Sequence, residues 1–198
     1  MDDYARPGHT SMRRLLACLA LLLPLLAFGA DADEAALWKA LREGGHVALM
    51  RHAIAPGVGD PAGFRLGDCA TQRNLSAQGR AQARAIGERF RGHGIERAAV
   101  HSSRWCRALE TAELLALGPV SPFPGLDSFF TDRSAEAAQL DAIRKLVASH
   151  PVNAPPLVLV THQVNITALS GVYPASGEIV VMRVAGDALV VAGRIRGD

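Results

Sequence analysis

No run of five basic residues occurs anywhere in the 198-residue chain, and its formal net charge is only +2. A nucleic-acid partner or an anionic membrane surface calls for a concentrated positive stripe, so neither is expected. The sequence also lacks Gly-x-Ser-x-Gly, which removes the nucleophile elbow of a serine hydrolase even though Ser102 and Ser103 stand together. Gly57-Val58-Gly59 is not continued into a dinucleotide or P-loop signature and opens no helix pattern. Internal repeats and low-complexity segments are missing too. What is left, 49% hydrophobic and 20% charged residues, is a globular balance with apolar material for one core.

Long apolar runs are equally scarce. The longest, Leu15 to Phe28, falls short of the roughly 20 residues a spanning helix needs and contains Pro24. It follows Arg13 and Arg14 and precedes small residues, which is the order of a secretory signal peptide. The polar stretch Met1 to Ser11 fits that order poorly, so Met12 is read as the initiator, with cleavage after Gly29 or Ala32. Cys18 ends a lipobox-like Leu-Leu-Ala-Cys, but too little apolar chain precedes it for lipidation. Residues 1–32 are therefore assigned to a leader and signal peptide, and 33–198 to a single domain. The mature protein is expected to be exported, periplasmic or secreted, with no stable membrane anchor; its oligomeric state is not written in the sequence.

Cysteine is rare as well. Cleavage would leave Cys69 and Cys106 alone, in a compartment where disulfides persist. They either bridge or remain two buried thiols, and the choice turns on a Cα separation that spacing does not supply.

Past the leader, helix-like and strand-like runs alternate. "EAALWKALREG" has helical apolar spacing and stops at Gly44-Gly45; "HVALMRH" follows as a strand. Residues 54–74 read as a long loop rich in Gly, Pro and polar residues, and loops of that length are usually functional or disordered. Ser76 is an N-cap for a helix over about 77–91, "RAAVHSS" a short strand, and "RWCRALETAELLALG" the next helix. A Pro-rich connection leads to a helix over "SAEAAQLDAIRKLVASH", and "PLVLVTH" is a strand of the fully buried, parallel type. "EIVVMRVAGDALVVAGRIR" reads as a hairpin turning at Gly186-Asp187. The expected fold is α/β: a three-layer α/β/α sandwich with a mostly parallel central sheet and an antiparallel C-terminal edge hairpin.

In such sheets ligands bind beyond the carboxyl ends of the strands. Three strands end there on polar residues: Arg51-His52, Ser102-Ser103 leading to Arg104 and Arg107, and Thr161-His162. Guanidinium forks match paired phosphate oxygens. Two histidines also suit a metal, but a third ligand is lacking and neighbouring arginines repel a cation, so no metal or other cofactor is expected.

"LMRHA", "RNLSAQGRAQA", "SSRWCRALETA" and "LVTHQVNI" together resemble the histidine phosphatase superfamily, also called phosphoglycerate mutase-like, in the order that family uses and over about residues 46–182. The resemblance implies a phosphoric monoester hydrolase acting on a small phosphorylated substrate. His52 would be the nucleophile, forming a phosphohistidine. Arg51 and Arg107 would clamp the phosphoryl oxygens, and His162 would donate to them. Arg107 rather than Arg104 aligns with the family's Arg-Ala-x-x-Thr-Ala; Arg104, placed one helical turn earlier, is a candidate substrate contact. Arg73, Asn74 and Ser76 lie in a matched segment and are further candidates, their alternative role being to cap the helix that starts there.

Two positions depart from the family pattern. Ala53 stands where the family has Gly, tolerable if φ is negative there. The family's Leu-x-Glu acid falls on Ser128 in "GLDSFF", which leaves Asp127 as the candidate acid, ahead of Asp132 and Glu136. A non-catalytic phospho-ligand binding module and a phosphomutase are the rival readings.

Overall fold

The structure is a computed structural model that describes Met1 and residues 27–198, with side chains from Glu34 onward. Of the expected leader and signal peptide, residues 1–32, positions 2–26 lie outside those described. Among the described residues no helix is long and apolar enough to cross a membrane.

The buried strand "HVALMR" is the centre of the molecule. As β1 (His46–Arg51) it pairs in parallel with β4 (Leu157–Thr161), which pairs with β2 (Ala99–Ser102), which pairs with β3 (Val120–Pro122). On its other side β1 meets β5 (Ile179–Ala185) antiparallel, and β5 turns back into β6 (Ala188–Ile195). The sheet order is thus β3-β2-β4-β1-β5-β6. Gly186, at φ 61°, makes the hairpin turn, a conformation in which a Cβ would be crowded. The parallel core and antiparallel terminal hairpin are as the sequence indicates.

Period-two alternation sends successive side chains of β1 to opposite faces. Ala48 and Met50 join Trp38, Ile86, Phe90, Val158 and Val160 on one side; Val47 and Leu49 join Leu126, Ile143, Leu157, Leu159 and Met182 on the other. The first face is covered by α1 (Ala27–Glu43), α2 (Ala77–Gly92) and α3 (Cys106–Leu114), the second by α4 (Glu136–Ser149) and α5 (Gln163–Ser170). A sheet with helices on both faces is the expected three-layer sandwich.

Four details differ from the sequence reading. α1 begins at Ala27, running through both expected cleavage positions. The Pro-rich connection holds a short strand, β3, whose Pro122 is tolerated because β3 is an edge. α3 starts only at Cys106 and ends at Leu114, so Arg104 precedes the helix, and the one-turn spacing that placed it beside Arg107 does not apply. The short helix α5, not anticipated, starts directly after His162.

Candidate active site

β1, β2 and β4 end at one edge of the sheet, and the segments that leave them enclose a cleft of about 130 Å3. Arg51, His52, Arg73, Arg107 and His162 all line it. Five of the residues singled out from the sequence therefore converge although up to 111 positions separate them.

His52 is held by its surroundings rather than by its strand alone. Its backbone N–H donates to Thr161 O (3.0 Å) across the parallel pair, and the Ala53 N–H donates to Thr111 Oγ1 (3.0 Å) on α3. The His52 ring donates from Nδ1 to Ala53 O at 2.8 Å. That bond fixes the tautomer: the proton sits on Nδ1 and the lone pair on Nε2. Burial, assisted by the charges of Arg107, Arg51 and Arg73, pushes the His52 pKa down to about 3, against the opposing bond to Ala53 O. The ring is neutral at physiological pH, as a nucleophile must be. Ala53, fully buried, has no positive φ, so replacing the family's Gly costs nothing in backbone strain.

His162 lies 5.5 Å from His52, ring centre to ring centre. Its Nε2 is 2.8 Å from Ser103 Oγ, and its Nδ1 has no protein partner among the described residues. Burial first, then the charges of His52 and the arginines, lowers its pKa well below the ordinary value. The free backbone N–H groups at the start of α5 face the same cleft through Gln163 and Val164, adding to its positive potential.

The arginines are anchored while keeping donors in reserve. Arg51 donates from one terminal nitrogen to Pro174 O (2.9 Å); Arg73 donates from Nε to Gly59 O (2.7 Å) and from a terminal nitrogen to Ala55 O. Arg107, 3% exposed, donates from both terminal nitrogens to the Asp60 carboxylate, at 2.6 and 3.2 Å. The Nε–H groups of Arg51 and Arg107 are buried with no partner. Unpaired buried donors carry a cost of about 1–3 kcal/mol each. Both belong to residues that line a cleft of positive sign, one side-chain rotation away from an anion's oxygens.

Asp60 is the residue the sequence reading missed. In the sequence it reads as one polar position in a long loop, directly after Gly57-Val58-Gly59 and close behind β1. Its second set of donors comes from the Trp105 indole (2.9 Å) and the Arg73 N–H (3.4 Å). Burial raises its pKa, but the bonds to Arg107 and Trp105 outweigh that and hold it below the usual carboxylate value.

Other candidates are not brought to the cleft. Asp127, expected as the acid, is 4% exposed with both oxygens occupied: Oδ1 accepts from Arg104 N–H (2.8 Å) and Ser103 Oγ (3.3 Å), Oδ2 from Arg104 Nε (2.8 Å) and a terminal nitrogen (2.6 Å). That fork turns Arg104 away as well, so Arg104 is Asp127's partner and not a lining residue. Ser128, in the position of the family's Glu, does line the cleft. Asn74 donates to Cys69 O and Gln72 O, and Ser76 caps α2 by accepting from Gly79 N–H (3.0 Å); both serve the helix start and neither lines the cleft. Gly79 itself is required by packing, because a Cβ there would meet Ile54 O at 2.1 Å.

Cys69 and Cys106 are bridged, with Cα atoms 5.7 Å apart. The bond ties the loop of residues 54–74 to the first turn of α3, next to Arg107. Gln72, buried beside it, accepts from the Cys106 N–H at 2.9 Å.

Residues 47–130, the segment that carries Arg51, His52 and Arg107, match the model of the histidine phosphatase superfamily (branch 1). No curated protein matches the chain. Among solved structures, the protein histidine phosphatase SixA complexed with tungstate is 18% identical, with 77% of this chain and 97% of that one covered and a TM-score of 0.52. Phosphoserine phosphatase from Entamoeba histolytica in complex with 3-phosphoglyceric acid is 14% identical (75% and 95% covered, TM-score 0.54). YhfR from Bacillus stearothermophilus is 20% identical (77% and 96%, TM-score 0.53). At these identities the likeness is one of fold, and it spans nearly the whole of each neighbour.

Proposed function

We propose that this chain is a metal-independent phosphatase of the histidine phosphatase superfamily that hydrolyses a small phosphomonoester through a phosphohistidine on His52. The observation that carries the reading is the fixed tautomer of His52: Nδ1 is committed to Ala53 O, and neutral Nε2 is left in a cleft lined by buried Arg107 and half-buried Arg51, both with unpartnered Nε–H groups. Nε2 attacks phosphorus, and Arg51, Arg107 and His162 receive the equatorial oxygens. Water then displaces the imidazole and phosphate leaves. Three arginines supply the charge that a metal ion would otherwise provide. The outer part of the cleft is apolar, with Val58, Phe130 and Tyr173 all exposed there, which suits a phosphate carried on an organic body. Neighbours of this fold are named for phosphohistidine and phosphoserine. The apolar rim favours an ester of a small organic alcohol.

Export to the periplasm or beyond, argued from the leader, is part of the same proposal. The second reading, a phospho-ligand binding module without turnover, draws on the one observation that Asp127 is locked by Arg104. One assay separates the two. The mature protein is incubated with para-nitrophenyl phosphate in EDTA beside His52→Ala. Turnover by the parent that EDTA spares and His52→Ala abolishes is the expected result. Phosphate or vanadate binding with no turnover by the parent establishes the module instead.

A further inference from the structure

We propose that Asp60 is the proton donor to the leaving group, presented by the loop that follows the nucleophile strand. The inference rests on the phosphatase reading and supplies the acid that it lacks. Among the described residues Asp60 is the one carboxylate lining the cleft. It sits end-on to Arg107, occupying the two terminal nitrogens and leaving the Nε–H free. Both Nε–H groups are buried behind the cleft wall, so a small rotation of the two guanidinium groups would let a phosphoryl group take them while Asp60 stays beside it.

Charge then decides the protonation state. In the substrate-free site Asp60 answers Arg107 and is ionised, held so by the Arg107 guanidinium, the Trp105 indole and the Arg73 N–H. From the remaining elements Arg51, Arg73, His52 and His162 face the same cleft. Bringing a phosphoryl dianion onto Arg107 places two anions on one guanidinium, and two like charges in contact share a proton more readily than they both ionise. The proton comes with a monoanionic substrate or from solvent, and the carboxyl retains it. Local backbone permits the small adjustment required: Gly57 and Gly59 hold φ of 96° and 67°, and Val58 between them is 88% exposed.

The step balances as follows. The His52 Nε2 lone pair forms the N–P bond as the P–O ester bond breaks, and the Asp60 proton passes to the departing oxygen, releasing the alcohol. The Nδ1 proton stays on Nδ1, donated to Ala53 O. Asp60, now a carboxylate, takes a proton from the water whose oxygen attacks phosphorus. The N–P bond breaks, its electron pair returns to His52, and phosphate leaves with Asp60 reprotonated.

The test compares the parent protein with Asp60→Asn on two substrates from one preparation, so that any loss of folded protein cancels in the ratio. On β-glycerol phosphate, whose alkoxide cannot leave unprotonated, kcat is expected to fall about 100-fold or more. On para-nitrophenyl phosphate, whose leaving group needs no proton, the fall is expected to be less than about tenfold. Calorimetry of tungstate binding at pH 7 in two buffers of different ionisation enthalpy should show uptake of about one proton by the parent and none by Asp60→Asn. Equal losses on both substrates would mean that Asp60 only positions Arg107, and that overturns the proposal. So would no loss on either, or unchanged proton uptake in the variant. A parent protein that turns over neither substrate removes the phosphatase reading itself, and this inference with it.

Discussion

Each charged group of the cleft has its job set by which of its atoms the protein occupies. His52 gives Nδ1 to a carbonyl and keeps Nε2; Arg107 gives its terminal nitrogens to Asp60 and keeps Nε. Asp127 shows the opposite arrangement, because Arg104 and Ser103 take both its oxygens and leave nothing to offer a substrate. On the proposed reading the planar fork of Arg107 is needed in full, one edge for Asp60 and one for phosphate, which an ammonium cannot supply. Arg107→Lys keeps the charge but is expected to lower kcat/KM at least about 100-fold, in the range for removing one preorganised donor. Steady-state kinetics on para-nitrophenyl phosphate checks it; a loss under tenfold would show that charge alone suffices.

At the scale of elements, the loop after β1 is long, rich in glycine and still well placed. Arg73 grips it at Gly59 O and Ala55 O, and Gln82 of α2 accepts from the Ile54 N–H. The Cys69–Cys106 bridge then closes 37 positions of chain onto the start of α3. A loop of that size corresponds to about 3–4 kcal/mol in the chain-entropy account of a disulfide. Cys69→Ser/Cys106→Ser is expected to lower the unfolding free energy by an amount of that order, measured by urea denaturation. KM should also rise, because Arg73, Asp60 and Arg107 lose a shared anchor. A variant with unchanged stability and KM would show the bridge to be incidental.

For the whole molecule, two buried neutral histidines make folding sensitive to acid. His52 has a folded pKa of about 3 and His162 is shifted the same way, whereas an unfolded imidazole titrates near 6.5. Between those limits the unfolded chain binds protons that the native chain does not, so stability is complete above about pH 6.5 and falls as pH drops towards 3. The slope is about 1.4 kcal/mol per pH unit for each such histidine. Asp60 and Glu178, both held below the ordinary carboxylate value in the fold, add to the loss at the acid end of the window. Thermal melts in a phosphate-free buffer should show Tm falling from pH 6.5 to 4.5, and His52→Asn should flatten that fall. Parallel curves for parent and variant would mean that His52 titrates normally in the fold.

The sequence by itself determined the layered α/β architecture, because buried parallel strands read as unbroken apolar runs and the helices between them carry their own start and stop residues. It also singled out residues that meet at the cleft. Arg51-His52, Arg107 and His162 each stand at a strand end or helix start, where local pattern fixes their placement. Asp60 and Asp127 escaped it for one physical reason. A loop carboxylate has no periodicity to betray its direction, so its partner decides whether it reaches the cleft. Arg107 draws Asp60 in and Arg104 draws Asp127 away. Those pairings, the bridging of Cys69 to Cys106 and the tautomer of His52 arise from contacts between residues far apart in the chain, and only the tertiary structure decided them.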